Sequence, residues 1–168
     1  MKKFELTSET KINIFGKKLF RIKALISFGD VEAGETGGWV EKEGNVSQSG
    51  DAWVSGDARV YGNAMVYGDA MVSGDARVSG DARVYGDAMV SGDARVYGDA
   101  DYTTIHGFGT QFRTTTFFRC KDKKVRVACG CFFGTIPEFR EQVKNTRKGK
   151  IAEEYLMIAD LMEKHFEK

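Results

Sequence analysis

Along the middle of the chain, apolar positions recur every six residues. Aligned on valine, the run reads Val54-Ser-Gly-Asp-Ala-Arg, Val60-Tyr-Gly-Asn-Ala-Met, Val66-Tyr-Gly-Asp-Ala-Met, Val72-Ser-Gly-Asp-Ala-Arg, and continues without insertion to Val96-Tyr-Gly-Asp-Ala-Asp101. Within each hexad, Ala-x-Val-x-Gly alternates inward and outward as a strand does, and the Gly-Asp or Gly-Asn that follows supplies the conformations of a corner. A period of six cannot hold valine on one helical stripe, so a helix is excluded. Three short strands and three corners close a triangular coil. Successive coils stack at ~4.8 Å and bury ladders of alanine and valine. The frame extends backward more loosely through Gly50-Asp51-Ala52, Gly44-Asn45-Val46 and Gly38-Trp39-Val40, which puts Lys42 and Gln48 where valine should stand. That coil reads as a degenerate terminal repeat.

The valine, glycine and alanine spacing resembles the hexapeptide-repeat superfamily. The fold expected is therefore mainly β, a left-handed parallel β-helix over residues 36–101, with an N-terminal hairpin cap over 1–35 and a C-terminal hairpin plus two helices over 102–168. The resemblance also implies acyltransferases that work as trimers with acyl-CoA between neighbouring coils, although a fold alone does not carry that activity. The flanks Leu19-Phe-Arg-Ile-Lys-Ala-Leu with Gly29-Asp30 and Gly37-Gly38-Trp39-Val40, and Thr114-Thr-Thr-Phe-Phe-Arg with Cys129-Gly-Cys-Phe, resemble phage and prophage proteins of the same layout. This narrower likeness implies a phage origin and a working place in the host cytoplasm.

Outside the repeat, Lys11-Ile-Asn-Ile-Phe and Leu19-Phe-Arg-Ile-Lys flank Gly16-Lys-Lys as a hairpin expected to cover the open end of the first coil. After Asp101 the period breaks. Phe112-Arg-Thr-Thr-Thr-Phe-Phe and Lys124-Val-Arg-Val-Ala-Cys read as a second hairpin turning at Lys121-Asp-Lys. Thr135-Ile-Pro-Glu opens a helix with a capping box to Glu138, running to about Asn145. Past Gly149, Tyr155, Leu156, Ile158, Leu161 and Met162 recur at helical spacing, for packing on the chain's own hairpin or on another subunit.

Outward side chains 18 residues apart share a face of the prism. One face carries Trp53, Met71 and Met89 beside Ser55, Ser73 and Ser91, an apolar ladder that suits a contact between subunits of a homotrimer or the docking of the chain's own termini. The second stacks Arg59, Arg77 and Arg95 beside Tyr61, Ser79 and Tyr97. The third stacks Met65, Arg83 and Asp101 with Tyr67 and Tyr85 and has no single character. The bland reading of the arginines is pairing with the corner aspartates on a solvated face. The corner carboxylates themselves read as turn caps, since calcium needs several oxygens converging on one ion.

Lys and Arg number 25 against 24 Asp and Glu, so total charge points to no partner. Its distribution is more informative, because the repeat is acidic and the chain after Tyr102 is basic. An acidic rod opposes general nucleic-acid binding. No stretch approaches the ~20 apolar residues of a membrane span, and the start lacks a signal-peptide pattern, so a soluble, cytoplasmic protein is expected. Three cysteines, Cys120, Cys129 and Cys131, fit a reducing compartment. Cys129 and Cys131, placed on one strand, would share a face, but nothing else has zinc-site spacing, and neither metal nor cofactor is expected.

Hexapeptide acyltransferases need a base, generally histidine. The repeat has none, and His106 in Ile105-His-Gly-Phe-Gly is the one candidate near the last coil. The function expected is a non-enzymatic, homo-oligomeric binding protein that captures a phosphate-bearing small molecule such as a signalling nucleotide, or a host defence protein. Its ligand groove would comprise Arg77, Arg95, Tyr97, Arg113, Thr114, Thr115 and Arg119, where guanidinium groups hold phosphates and tyrosine stacks on a base. Acyl transfer through His106 and a purely structural spacer are the alternatives.

Overall fold

In the computed structural model, which describes residues 1–167, the hexads wind into a parallel β-solenoid. It follows an antiparallel hairpin of β1 (Phe4–Ile12) and β2 (Lys18–Ala24). One wall of the solenoid stacks β3 (Thr36–Val40), β5 (Arg59–Val60), β8 (Arg77–Val78) and β11 (Arg95–Val96). A second stacks β4 (Trp53–Val54), β7 (Met71–Val72) and β10 (Met89–Val90). The third pairs β6 (Met65–Val66) with β9 (Arg83–Val84), and Val46 bridges to Val66. The hexad valines and alanines from Ala52 to Val96 are fully buried. Each valine contributes roughly 1.5–3 kcal/mol by leaving water, which makes this narrow ladder the core. The corners need glycine. At Gly74 the backbone is left-handed (φ +67), and a Cβ would stand 2.9 Å from the backbone N and O of Gly92 on the next coil.

The first coil departs from the strict six-residue frame. Val40 pairs with Val60 and Val46 with Val66, two residues out of step with Trp53 opposite Met71. Two extra residues sit in the corner Ser47-Gln48-Ser49, so Val40 and Val46, not Lys42 and Gln48, take the valine place. Lys42 is exposed. The Gln48 side chain instead binds the N-terminal strand: its oxygen accepts from the backbone N–H of Lys3 (2.7 Å) and Phe4 (3.2 Å), and its amide donates to the Phe4 carbonyl (3.1 Å).

The hairpin continues a wall as well as covering an end, because β2 pairs antiparallel with β3. Phe4, Ile22 and Ala24 turn inward onto the exposed end of the core. Trp53 is fully buried there, edge-on to Phe4 (6.1 Å) and Phe28 (5.4 Å). Lys3 is buried too, its ammonium donating to the Ala52 and Gly50 carbonyls at 2.7 and 3.1 Å, and burial lowers its pKa.

At the other end the chain forms a four-stranded antiparallel meander where one hairpin was expected: β12 (Tyr102–Phe108), β13 (Arg113–Arg119), β14 (Val125–Cys129) and β15 (Phe132–Thr135). Helix α1 (Ile136–Thr146) starts at the expected capping box, with Thr135 N–H donating to Glu138 at 2.7 Å and Glu138 N–H donating to the Thr135 hydroxyl at 3.3 Å. Helix α2 (Gly149–Phe166) lays Tyr155, Ile158, Met162 and Phe166 against Phe117, Val127, Phe139 and Val143, so it packs on its own sheet. Leu161 faces solvent.

Strand β13 stands between two layers. Thr116 and Cys120 face the solenoid, where the Thr116 hydroxyl accepts from Met89 N–H (3.0 Å) and Cys120 bridges to Ala94. Phe118 joins the solenoid core and Phe117 the helical one. Among the described residues no helix is long and apolar enough to cross a membrane.

Candidate functional site

The outward ladders form in register: Trp53, Met71 and Met89 on one wall, Arg59, Arg77 and Arg95 on another. Trp53 nonetheless leaves the expected subunit contact, because the N-terminal segment seals it. Ser55, Ser73, Ser91 and Met71 are half-buried, and Met89 is the exposed member of that set.

Arg95 also leaves the expected ligand groove. It is buried, with Nη1 donating to the carbonyls of Asp75, Asp93 and Ala94 at 2.8–3.0 Å and Nη2 to the Asp75 carboxylate at 3.2 Å. It braces a corner, as the bland reading of the ladder requires. Arg59 and Arg77 differ, with no carboxylate within 4.0 Å of either among the described residues. On the same wall, Lys11 (4.0 Å) and Arg21 (4.8 Å) sit over the Trp39 ring. Burial, and then Arg59, lowers the Lys11 pKa.

The rest of the expected groove disperses because successive residues of β13 point to opposite layers. Tyr97 is exposed at a corner. The Thr114 hydroxyl reaches the Asp87 carboxylate at 3.4 Å, whereas Thr115 is buried and donates to the Cys129 sulfur at 3.1 Å. Arg119 donates to the Phe166 carbonyl at 2.8 Å and pairs with Asp101 at 3.5 Å. These groups hold the C-terminal layers together and do not converge with Arg77.

Arg113 alone of that set opens into a cleft, of about 240 Å³, between the β12–β13 turn, the β14–β15 turn and the two helices. Arg147, Gln111, Gln142, Tyr155 and Phe132 line it with Arg113, and no carboxylate does. Neither arginine makes an ion pair among the described residues. Gly130 (φ +60) lets the turn approach the Arg113 guanidinium more closely than a Cβ would allow. The Tyr155 hydroxyl donates to the Phe108 carbonyl at 3.2 Å, and burial, with Cys129 adding to it, raises its pKa. The cleft thus gathers two unneutralised guanidinium groups and two side-chain amides around an aromatic floor. Such a set matches the oxygens of a phosphate.

Sequence reasoning missed Arg147, Gln142, Gln111 and Tyr155. The capping box placed α1, but no local signal says which turn its C-terminal end meets.

His106 lines neither this cleft nor the groove on the third wall. Its Nδ1 lies 2.9 Å from the Thr114 hydroxyl. The two nearby cysteines are not on one strand: Cys129 ends β14, and Cys131 sits in the two-residue turn before Phe132. Among the described residues no three His, Cys, Asp or Glu side chains gather as a metal site would need.

A family model described as the YdcK beta solenoid repeat matches the chain over residues 58–74, 64–80, 70–85, 76–92 and 82–98. The chain is a parallel β-solenoid. The match covers the regular coils and stops short of both the inserted corner and the C-terminal sheet. No curated protein matches the sequence.

Proposed function

We propose that the chain is a non-enzymatic binding protein whose C-terminal cleft takes the phosphate group of a small molecule. The observation that carries this reading is the pairing of Arg113 and Arg147 across a cavity without a carboxylate. Both guanidinium groups are exposed at the cleft with no carboxylate to occupy them, and bidentate guanidinium contacts suit phosphate oxygens. At about 240 Å³ the cleft holds a phosphate or diphosphate group and leaves the remainder of a larger ligand outside.

Inorganic diphosphate tests the cleft by itself. At a hundredfold excess over Kd, a ligand that binds only the folded state stabilises it by about 2.7 kcal/mol, a rise in Tm of roughly 5–10 °C for a chain of this length. The Arg113→Ala/Arg147→Ala variant should lose that rise. Gly130→Ala, which displaces the Arg113 guanidinium, should reduce it. If the double variant gains as much stability from diphosphate as the parent protein, the cleft is not the site.

A further inference from the structure

The third wall of the solenoid ends unlike the other two. Tyr67 and Tyr85 stack outside it, with ring centroids 5.3 Å apart and planes 14° from parallel. One coil further on, the same rung falls on Thr103, which belongs to β12 and pairs with Phe117 in the C-terminal sheet. The tyrosine stack therefore stops after two rings. Tyr85, 54% exposed, borders a groove of about 400 Å³, within the ~300–1,000 Å³ of small-molecule pockets.

The groove is built of polar groups as well. Tyr102 stands where valine should on this wall, buried, with its hydroxyl donating to the Arg83 carbonyl, which fixes the floor. The Arg83 side chain is exposed and makes no ion pair among the described residues. Asp99 takes the Arg83 backbone N–H with Oδ1 at 2.9 Å, which leaves Oδ2 open. Thr103 and Thr104, at the start of β12, border the groove as well.

We propose that this groove binds a nucleoside monophosphate. The base continues the tyrosine stack as a third ring on Tyr85, the phosphate meets Arg83, and Asp99 accepts from a ribose hydroxyl. Stacking supplies most of the affinity, since every base offers a π-face, and the guanidinium distinguishes nucleotide from nucleoside. The groove shares no lining residue with the Arg113/Arg147 cleft, so the two sites stand or fall separately.

Isothermal titration of the whole protein with AMP and with adenosine tests this. In Arg113→Ala/Arg147→Ala protein, whose cleft no longer holds a phosphate, the expected result is one saturable site per chain, with AMP bound more tightly than adenosine; the variants below are made in that background. Tyr85→Leu should weaken both by about tenfold or more, the loss of one base–aromatic stack, and Tyr85→Phe should restore them. Arg83→Gln should bring AMP down to the level of adenosine and leave adenosine unchanged. Absence of saturation at millimolar AMP, or a Tyr85→Leu protein that binds AMP as tightly as the parent, would overturn the assignment.

Discussion

Replacing Trp53 by alanine separates two roles for the same side chain. As an outward rung of an apolar ladder, Trp53 would join subunits; in the structure it is the anchor that holds β1 and the Phe28 turn on the first coil. A fully buried tryptophan removes ~150–250 Å² from water, which at ~25 cal/mol per Å² stabilises the fold by roughly 4–6 kcal/mol. Against this, its indole N–H has no hydrogen-bond partner among the described residues. A buried orphan donor costs ~1–3 kcal/mol, and the substitution removes it. The net loss expected for Trp53→Ala is therefore about 3 kcal/mol, whereas Trp53→Phe, which keeps much of the contact and sheds the orphan donor, should lose about 1 kcal/mol or less. Urea unfolding followed by far-ultraviolet circular dichroism gives both values, and native mass spectrometry of the same samples gives the subunit number. Folded Trp53→Ala protein should keep the parent's subunit number. A variant that lost less than about 1 kcal/mol while its oligomer dissociated would refute the intramolecular account.

Two other predictions rest on single side chains. The Cys120 thiol, closed in by burial and then by Asp93, has its pKa pushed up to about 12, whereas Cys131 is exposed; at pH 8 a thiol reagent should label Cys131 quickly and Cys120 only after denaturation, and fast labelling of Cys120 in the folded protein would contradict the packing of β13 on the last coil. Glu41 accepts from the Lys17 ammonium at 2.9 Å and from Gly62 N–H at 2.6 Å, and these bonds, Lys17 first, hold its pKa below the ordinary range. A depressed carboxylate stabilises the fold above its unfolded pKa of ~4.3, and that contribution fades as pH falls through the lower folded value. Glu41→Gln should thus be less stable than the parent at pH 7 and approach it near pH 3 in urea titrations; a gap that stays constant with pH would remove Glu41 from this role.

How much the sequence revealed differs sharply between the rod and its ends. Inside the rod one hexad dictates everything, because each inward alanine and valine meets its copy on the next coil. The fold and the ladders could therefore be read by counting. The first coil could not, since two added residues at Ser47-Gln48-Ser49 shift the frame while leaving Gly50 in step with Gly68, and Lys42 and Gln48 then resemble faults in a core they never enter. At the C-terminal end β12 was missed because Tyr-Thr-Thr-Ile-His carries only weak alternation, as an edge strand paired with β13 alone can.

Those same breaks are where chemistry can reside. A uniform stack offers every ligand the same surface at each coil, and where its last arginine, Arg95, does find partners they are three carbonyls and Asp75 of the rod itself. A cavity requires a rung to be missing or a different element to intervene. Thr103 in place of a third tyrosine opens one, and the meander that carries Arg113 past Arg147 opens the other. Arg77 was expected in the site because it belongs to the repeat. By this argument that membership counts against it: a side chain whose surroundings recur at Arg59 cannot by itself distinguish one position on the rod from the next.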